Sequence, residues 1–152
     1  MKKVWVFDID GTLADNDHRM HYLNGKKNWD AFFAEQHKDE PYQAVLDVLH
    51  SLVFDGHKVI VVTAREERFR EDTLDWLNKH IEYDFPSEDL YMRPISNRGD
   101  DDKMKVDIVK NWIAANPGYK VGGIFEDRHR IIDAFRSEGW YVFEANQTRT
   151  QF

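Results

Sequence analysis

Apolar positions along this chain follow two patterns that alternate. Val4 to Phe7, Lys58 to Thr63 and Lys120 to Phe125 are short, nearly unbroken runs rich in β-branched residues, the pattern of parallel strands covered on both faces. Between them the spacing turns helical. Val45, Leu46, Leu49, Leu52 and Val53 recur between Pro41, read as the helix start, and Gly56. Ala64-Arg65-Glu66-Glu67 is read as opening a second helix, with Phe69, Leu74, Leu77 and Ile81 inward, up to the turn around Pro86. Lys103 to Ala115 predicts a third, carrying Val106, Val109, Trp112 and Ile113 inward and ended by Asn116-Pro117-Gly118. A fourth carries Ile131, Ile132 and Phe135, and weaker strands are predicted at Leu90 to Met92 and Trp140 to Phe143. Strands alternating with helices predict one α/β domain over residues 1–152, a Rossmann-like parallel sheet with helices on both faces.

Ala14 to Glu40 interrupts this alternation. It is polar, has a turn signal at Asn24-Gly25 and carries Tyr22, Trp29, Phe32 and Phe33, which predicts a small insert of loop plus a short helix near Trp29 to His37. The three aromatics Trp29, Phe32 and Phe33 suit either the core of that insert or a platform for a base. His18 and His21 lack a zinc-like arrangement of further ligands and are expected at the surface.

Composition narrows the function classes. With 41% hydrophobic residues, 14% aromatics and no cysteine, the chain predicts a folded domain without disulfides, thiolate metal sites or a cysteine nucleophile. Met1-Lys2-Lys3 before an apolar run imitates a signal peptide, but Asp8 interrupts the run after four residues, and no stretch is long enough to span a membrane. A cytoplasmic protein is expected. The formal charge of -7 disfavours sequence-blind nucleic-acid binding while leaving room for a local basic pocket.

Chemistry concentrates where strands stop. The first ends in Asp8-Ile9-Asp10-Gly11-Thr12, the second in Thr63-Ala64-Arg65 and the third in Glu126-Asp127, and ligand sites of such sheets lie beyond the carboxyl ends of the strands. Carboxylates meeting there repel unless a cation sits among them. Oxygen ligands alone select a hard ion, and a site that also takes substrate phosphate is typical of Mg²⁺. Thr63 can donate to a phosphate oxygen, Arg65 can fork two, and a lysine early in the third helix can offset the remaining charge. The run Asp100-Asp101-Asp102 is read as a solvated loop with Asp102 capping that helix. A calcium loop fails on spacing, because Gly11 falls at the fourth position instead of the sixth.

In order, these four segments resemble the motifs of haloacid dehalogenase-like (HAD) phosphatases, and are most similar to the phosphatase half of bifunctional polynucleotide kinase/phosphatases. There too an arginine follows the first aspartate by the interval that Arg19 shows in this chain, and the second motif ends in arginine. The resemblance implies an HAD-like fold without a large cap domain and a two-step phosphoryl transfer: Asp8 as nucleophile, Asp10 as general acid and base, and Thr63 and Lys105 on the transferred group. It implies Arg19 and Arg65 as substrate-binding residues. Mg²⁺ would be held by the Asp8 carboxylate, the Asp10 backbone carbonyl and Asp127, with Glu126 close by. Two departures stand out. The acidic pair is commonly Asp-Asp, and Lys103, Lys105 and Lys110 compete for the third-motif lysine, of which Lys105 fits the spacing best. No Gly-x-x-x-x-Gly-Lys-Ser/Thr occurs, so no kinase activity is predicted.

The expected activity is therefore removal of a 3′-phosphate from a polynucleotide end, with a 5′/3′ nucleotidase as the alternative and a phosphate-responsive receiver-like module as a more distant one. The expected partners are a phosphorylated nucleotide or nucleic-acid end, with no membrane and no stable protein partner.

Overall fold

The computed structural model describes residues 1–147. In chain order the regular elements are β1 (Lys2–Phe7), β2 (Ala14–Asp15), α1 (Trp29–Ala34), β3 (Glu40–Pro41), α2 (Gln43–Phe54), β4 (Lys58–Glu66), α3 (Arg70–His80), β5 (Leu90–Arg93), α4 (Asp101–Ala115), β6 (Tyr119–Glu126), α5 (His129–Ser137) and β7 (Val142–Glu144). Five parallel strands form the sheet in the order β5-β4-β1-β6-β7.

Alternation along each strand sorts the core into two layers. Val4 and Val6 of β1, Ile60 and Val62 of β4 and Ile124 of β6 pack against Val106, Val109 and Trp112 of α4 and Ile131, Ile132 and Phe135 of α5. The alternate residues Phe7, Val59 and Val61 face Leu46 and Leu49 of α2 and Trp76 and Leu77 of α3. Both faces are thus covered, which is why the strands read as unbroken apolar runs. This is the predicted α/β architecture, a parallel sheet with helices on both faces.

Register brings the loaded strand ends together. β1 lies between β4 and β6, with Phe7 opposite Val61 on one side and Phe125 on the other. One or two residues further, Asp8, Thr63 and Glu126 therefore emerge side by side at the carboxyl edge.

Several boundaries differ from the sequence reading. Residues 64–66 stay extended because Glu66 pairs with Arg93, so the next helix waits until Arg70, after a 3-10 turn over Glu67–Phe69. Pro41 does not start α2 but pairs with Ala14, in a two-stranded antiparallel clasp that closes the insert at its base. Inside the insert, α1 is only Trp29–Ala34, flanked by 3-10 turns at Asp17–Leu23 and Gln36–Lys38. β7 begins at Val142, not Trp140. Helix α4 starts at Asp101 with Asp100 as its cap residue, which displaces Asp102 from the expected capping position.

Gly122-Gly123 marks a register shift in which Val4 faces Val121 while Trp5 faces Gly123. The bare backbone makes room for Trp5: a Cβ on Gly123 would lie 2.6 Å from Trp5 Cζ3 and 3.0 Å from Phe143 Cε2. Gly123→Ala is expected to destabilise the fold by about 1–3 kcal/mol in urea denaturation, the range for overpacking. Combining it with Trp5→Leu should recover part of that loss, and strictly additive costs would show that the ring is not the obstacle.

Candidate active site

The loop after β1 is built around one carbonyl. Ile9 O accepts from the backbone N–H groups of Thr12, Leu13 and Ala14, and Gly11 N–H donates to Ala14 O. Ile9 and Leu13 are fully buried anchors. Gly11 holds φ at +83°, and a Cβ there would collide with Asp127 Oδ2. A side chain at position 11 would displace that carboxylate, so the glycine serves both the turn and the close approach.

Beyond this turn the first group of charges is a lysine among carboxylates. Asp8, Glu126 and Asp127 are buried, each with a carboxylate oxygen within 4.8 Å of the others. Lys105 Nζ reaches them from α4, donating to Asp8 Oδ1 at 2.8 Å and Glu126 Oε2 at 3.0 Å. Burial would lower the Lys105 pKa, but Asp8 and Glu126 overcome it and hold the ammonium above its ordinary range. Lys103 and Lys110 instead pair with Asp107 and Glu138 on exposed α4 surface, which leaves Lys105 as the lysine at the site.

A second group surrounds Asp10, whose side chain is 20% exposed. Arg65 grips it twice, Nε to Oδ2 at 3.0 Å and an η nitrogen to Oδ1 at 2.8 Å, and Arg19 adds a bond of 2.7 Å to Oδ1. Burial would raise the Asp10 carboxyl, but Arg65 and Arg19 outweigh it and hold it well below the usual carboxylate range. Behind both arginines lies Asp39, fully buried, taking Arg19 bidentately at 2.8 Å and 2.8 Å, Arg65 at 3.4 Å and His18 Nε2 at 2.7 Å. The Asp39 carbonyl also accepts from Trp76 Nε1 at 2.8 Å. Sequence reasoning missed Asp39, which sits in the polar insert with no motif around it. His18 is partly exposed, as expected, yet tied into this network.

Among the described residues, five carboxylates, Asp8, Asp10, Asp39, Glu126 and Asp127, thus meet three fixed cations, Arg19, Arg65 and Lys105. The imbalance falls on the acidic pair after β6. Burial and the neighbouring Asp8 raise Glu126 to about 8, and burial with Asp8 and Glu126 raises Asp127 to about 10. Glu126 Oε1 is buried without a hydrogen-bond partner among the described residues. Two negative charges in excess, an orphaned oxygen and an all-oxygen donor set fit a hard divalent cation among Asp8, Glu126 and Asp127.

The site opens into a cavity of about 470 Å³. Asp8, Asp10, Thr63, Arg65 and Lys105 line it, whereas Arg19 sits behind Asp10 and reaches the cavity through it. Thr63 is buried, its Oγ1 accepting from Arg65 N–H at 3.1 Å. Trp29, Phe32 and Phe33 supply an aromatic wall, and Arg68, Arg93 and Arg128 further positive charge. Asp101, expected in a solvated loop, accepts from both Arg93 and Arg128, and burial that would raise its carboxyl is outweighed by those arginines.

Residues 2–149 match the family described as the polynucleotide kinase PNKP phosphatase domain. The chain belongs to this family. It is accordingly a phosphatase domain of the HAD type, and the receiver-like reading falls away. Among solved structures, a chain in the Pnkp1/Rnl/Hen1 complex aligns with a TM-score of 0.73 at 29% identity, covering 96% of this chain and 46% of that one. A chain in the structure described as the Pnkp1/Rnl/Hen1 RNA repair complex gives 0.75 at 29% identity, covering 96% and 43%. This family member therefore spans less than half the length of those relatives. The class C acid phosphatase from Bacillus anthracis shares the fold, with a TM-score of 0.70 at 13% identity over 99% of this chain and 69% of its own. No curated protein sequence matches. No helix among the described residues is long and apolar enough to cross a membrane.

Two expectations follow from the charge balance. The raised Glu126 and Asp127 bind protons more readily folded than unfolded, so their contribution to stability is full below about pH 4 and is lost as pH rises toward about 8 and about 10. Thermal midpoints in chelator should fall between about pH 5 and pH 9, and added Mg²⁺ should reverse most of the fall. Asp127→Asn should flatten the profile, and an unchanged slope in that variant would rule out the crowded carboxyl pair as its source. Separately, Asp39→Ala leaves two buried guanidinium groups with Asp10 as their one shared carboxylate and should cost about 3–5 kcal/mol in urea denaturation. Exposed Asp30→Ala should stay within about 0.5 kcal/mol, and equal costs would deny Asp39 its organising part.

Proposed function

We propose that this domain is a Mg²⁺-dependent phosphomonoesterase that removes a 3′-phosphate from a polynucleotide end through an aspartyl-phosphate on Asp8. The observation that carries the reading is Asp8 itself, lining the cavity with Lys105 Nζ at 2.8 Å and the Glu126 and Asp127 carboxylates beside it. Asp8 is the nucleophile in a site whose other charges accommodate a phosphoryl group. Its carboxylate oxygen forms the bond to phosphorus as the bond to the leaving oxygen breaks. Water then attacks phosphorus and releases phosphate, restoring the carboxylate.

Asp10 gives the leaving oxygen its proton and takes one from the attacking water. In the free site Arg65 and Arg19 keep Asp10 ionised. An incoming phosphate dianion competes for Arg65, which lines the cavity, and weakens the hold on Asp10, so protonation follows substrate binding. Arg19 stays on Asp39 and keeps Asp10 in place. Thr63 and Lys105 hold the oxygens of the transferred group, where fixed donors act strongly because no solvent must reorganise. Asp8, Asp127 and the Asp10 carbonyl would hold Mg²⁺, with Glu126 adjacent, and the ion would supply charge neutralisation at phosphate.

Support for a polynucleotide end comes from the 29% identical chain of an RNA repair complex, a relative that also removes the ground for expecting no protein partner. The net charge of -7 favours the second reading, a nucleotidase on 5′ or 3′ mononucleotides. Phosphate release with Mg²⁺ from a 3′-phosphorylated oligonucleotide, mononucleotides and p-nitrophenyl phosphate separates the two. Asp8→Asn should reduce release to background, and Lys105→Ala or Arg65→Ala should cost about 10²–10³-fold in kcat. Preference for mononucleotides would replace the first reading with the second, and near-wild-type turnover in both variants would refute this pocket.

A further inference from the structure

Packing accounts for only part of the aromatic wall of the cavity. Phe32 belongs to the core of the insert: it is buried, the Arg19 guanidinium lies 4.2 Å from its ring centroid, and its carbonyl accepts from Arg19 at 3.3 Å. Trp29, one turn earlier on α1, remains 44% exposed and lines the cavity. Its ring stacks on Phe33 with centroids 5.8 Å apart and planes 25° from parallel. Phe33 continues to Phe69 at 5.0 Å, and the Arg68 guanidinium lies over Phe69 at 4.5 Å. A row of rings therefore runs from the insert to the segment after β4 and ends in a cation.

Charge limits what can lie on that row. Outside the phosphoryl site Arg68, Arg93 and Arg128 line the cavity against Glu66, which pairs with Arg68 at 3.0 Å, and Asp101, which pairs with the other two, so this rim is positive by one charge in a chain of net charge -7. An occupant that offers a flat apolar face and one negative charge beyond the transferred phosphate meets both conditions. About 470 Å³ is within the range of pockets that enclose a molecule of nucleotide size.

We propose that Trp29, backed by Phe33, forms a stacking platform for the base of the phosphorylated terminal nucleotide, with Arg68 beyond the row facing the phosphodiester that continues the strand. This rests on the reading of the substrate as a polynucleotide end and adds to it the groups that recognise a nucleoside. Stacking tolerates every base, since each has a π-face, so the platform selects for the presence of a base and not for its identity.

The test compares two oligonucleotides with a 3′-phosphate, one with an ordinary terminal nucleotide and one whose terminal residue is abasic, in the wild type, Trp29→Ala and Trp29→Phe. Wild type should show a KM for the base-bearing end about 5- to 150-fold below the abasic one, equivalent to about 1–3 kcal/mol. That ratio should approach one in Trp29→Ala and survive in Trp29→Phe. Because each enzyme is its own reference, a general loss from misfolding leaves the ratio readable. No base preference in the wild type, or an undiminished one in Trp29→Ala, overturns the platform alone. If the wild type releases no Asp8-dependent phosphate from either oligonucleotide while hydrolysing p-nitrophenyl phosphate, the polynucleotide reading falls and the platform with it.

Discussion

Like charges held close together away from water dominate this molecule. Five carboxylates converge at the carboxyl edge of the sheet, and their mutual repulsion would push them apart or protonate them unless other charges intervene. Arg65 and Arg19 settle the half around Asp10 and Asp39, and Lys105 bridges Asp8 and Glu126. The remainder rests on Glu126 and Asp127, the two groups whose carboxyls are pushed upward. Fold and site are coupled through this balance: three strands must end in register for the charges to meet, and the charges must cancel for the strand ends to stay together.

The same balance ties the insert to the sheet. Residues 14–41 have little core of their own, yet Arg19 from their first part and Asp39 from their last join Arg65 of β4 and Trp76 of α3. The β2–β3 clasp closes the insert at its base while the ion pairs hold it inward. The aromatic wall therefore stands at a fixed place beside the catalytic pocket. A longer insert could have formed a cap; this one forms a side wall.

Much of this is legible in the sequence. Unbroken β-branched runs reveal strands covered on both sides, and Asp8, Asp10, Thr63, Arg65, Glu126 and Asp127 follow directly from where those runs stop. Arg19 and Lys105 are reachable only through resemblance and spacing, because an arginine in a polar stretch and one lysine among three carry no local signal. Asp39 is not reachable: its partners lie at positions 18, 19, 65 and 76, and only the folded insert brings it to them. Asp101 escapes a sequence reading for a related reason, since its arginines belong to β5 and to the turn after β6. Boundaries shift where tertiary pairing overrides local preference, as when Pro41 joins a clasp with Ala14 and residues 64–66 continue a strand.

The double grip of Arg65 and Arg19 on Asp10 bears on how anions come and go. Each anion that enters finds the guanidinium groups already occupied by resident carboxylates, which act as built-in competitors at high local concentration. An anion gains these guanidinium groups only by competing with a carboxylate that is already in place, so the ion pairs that look like structural ballast also set a threshold below which a weakly charged ion finds no hold in the cavity.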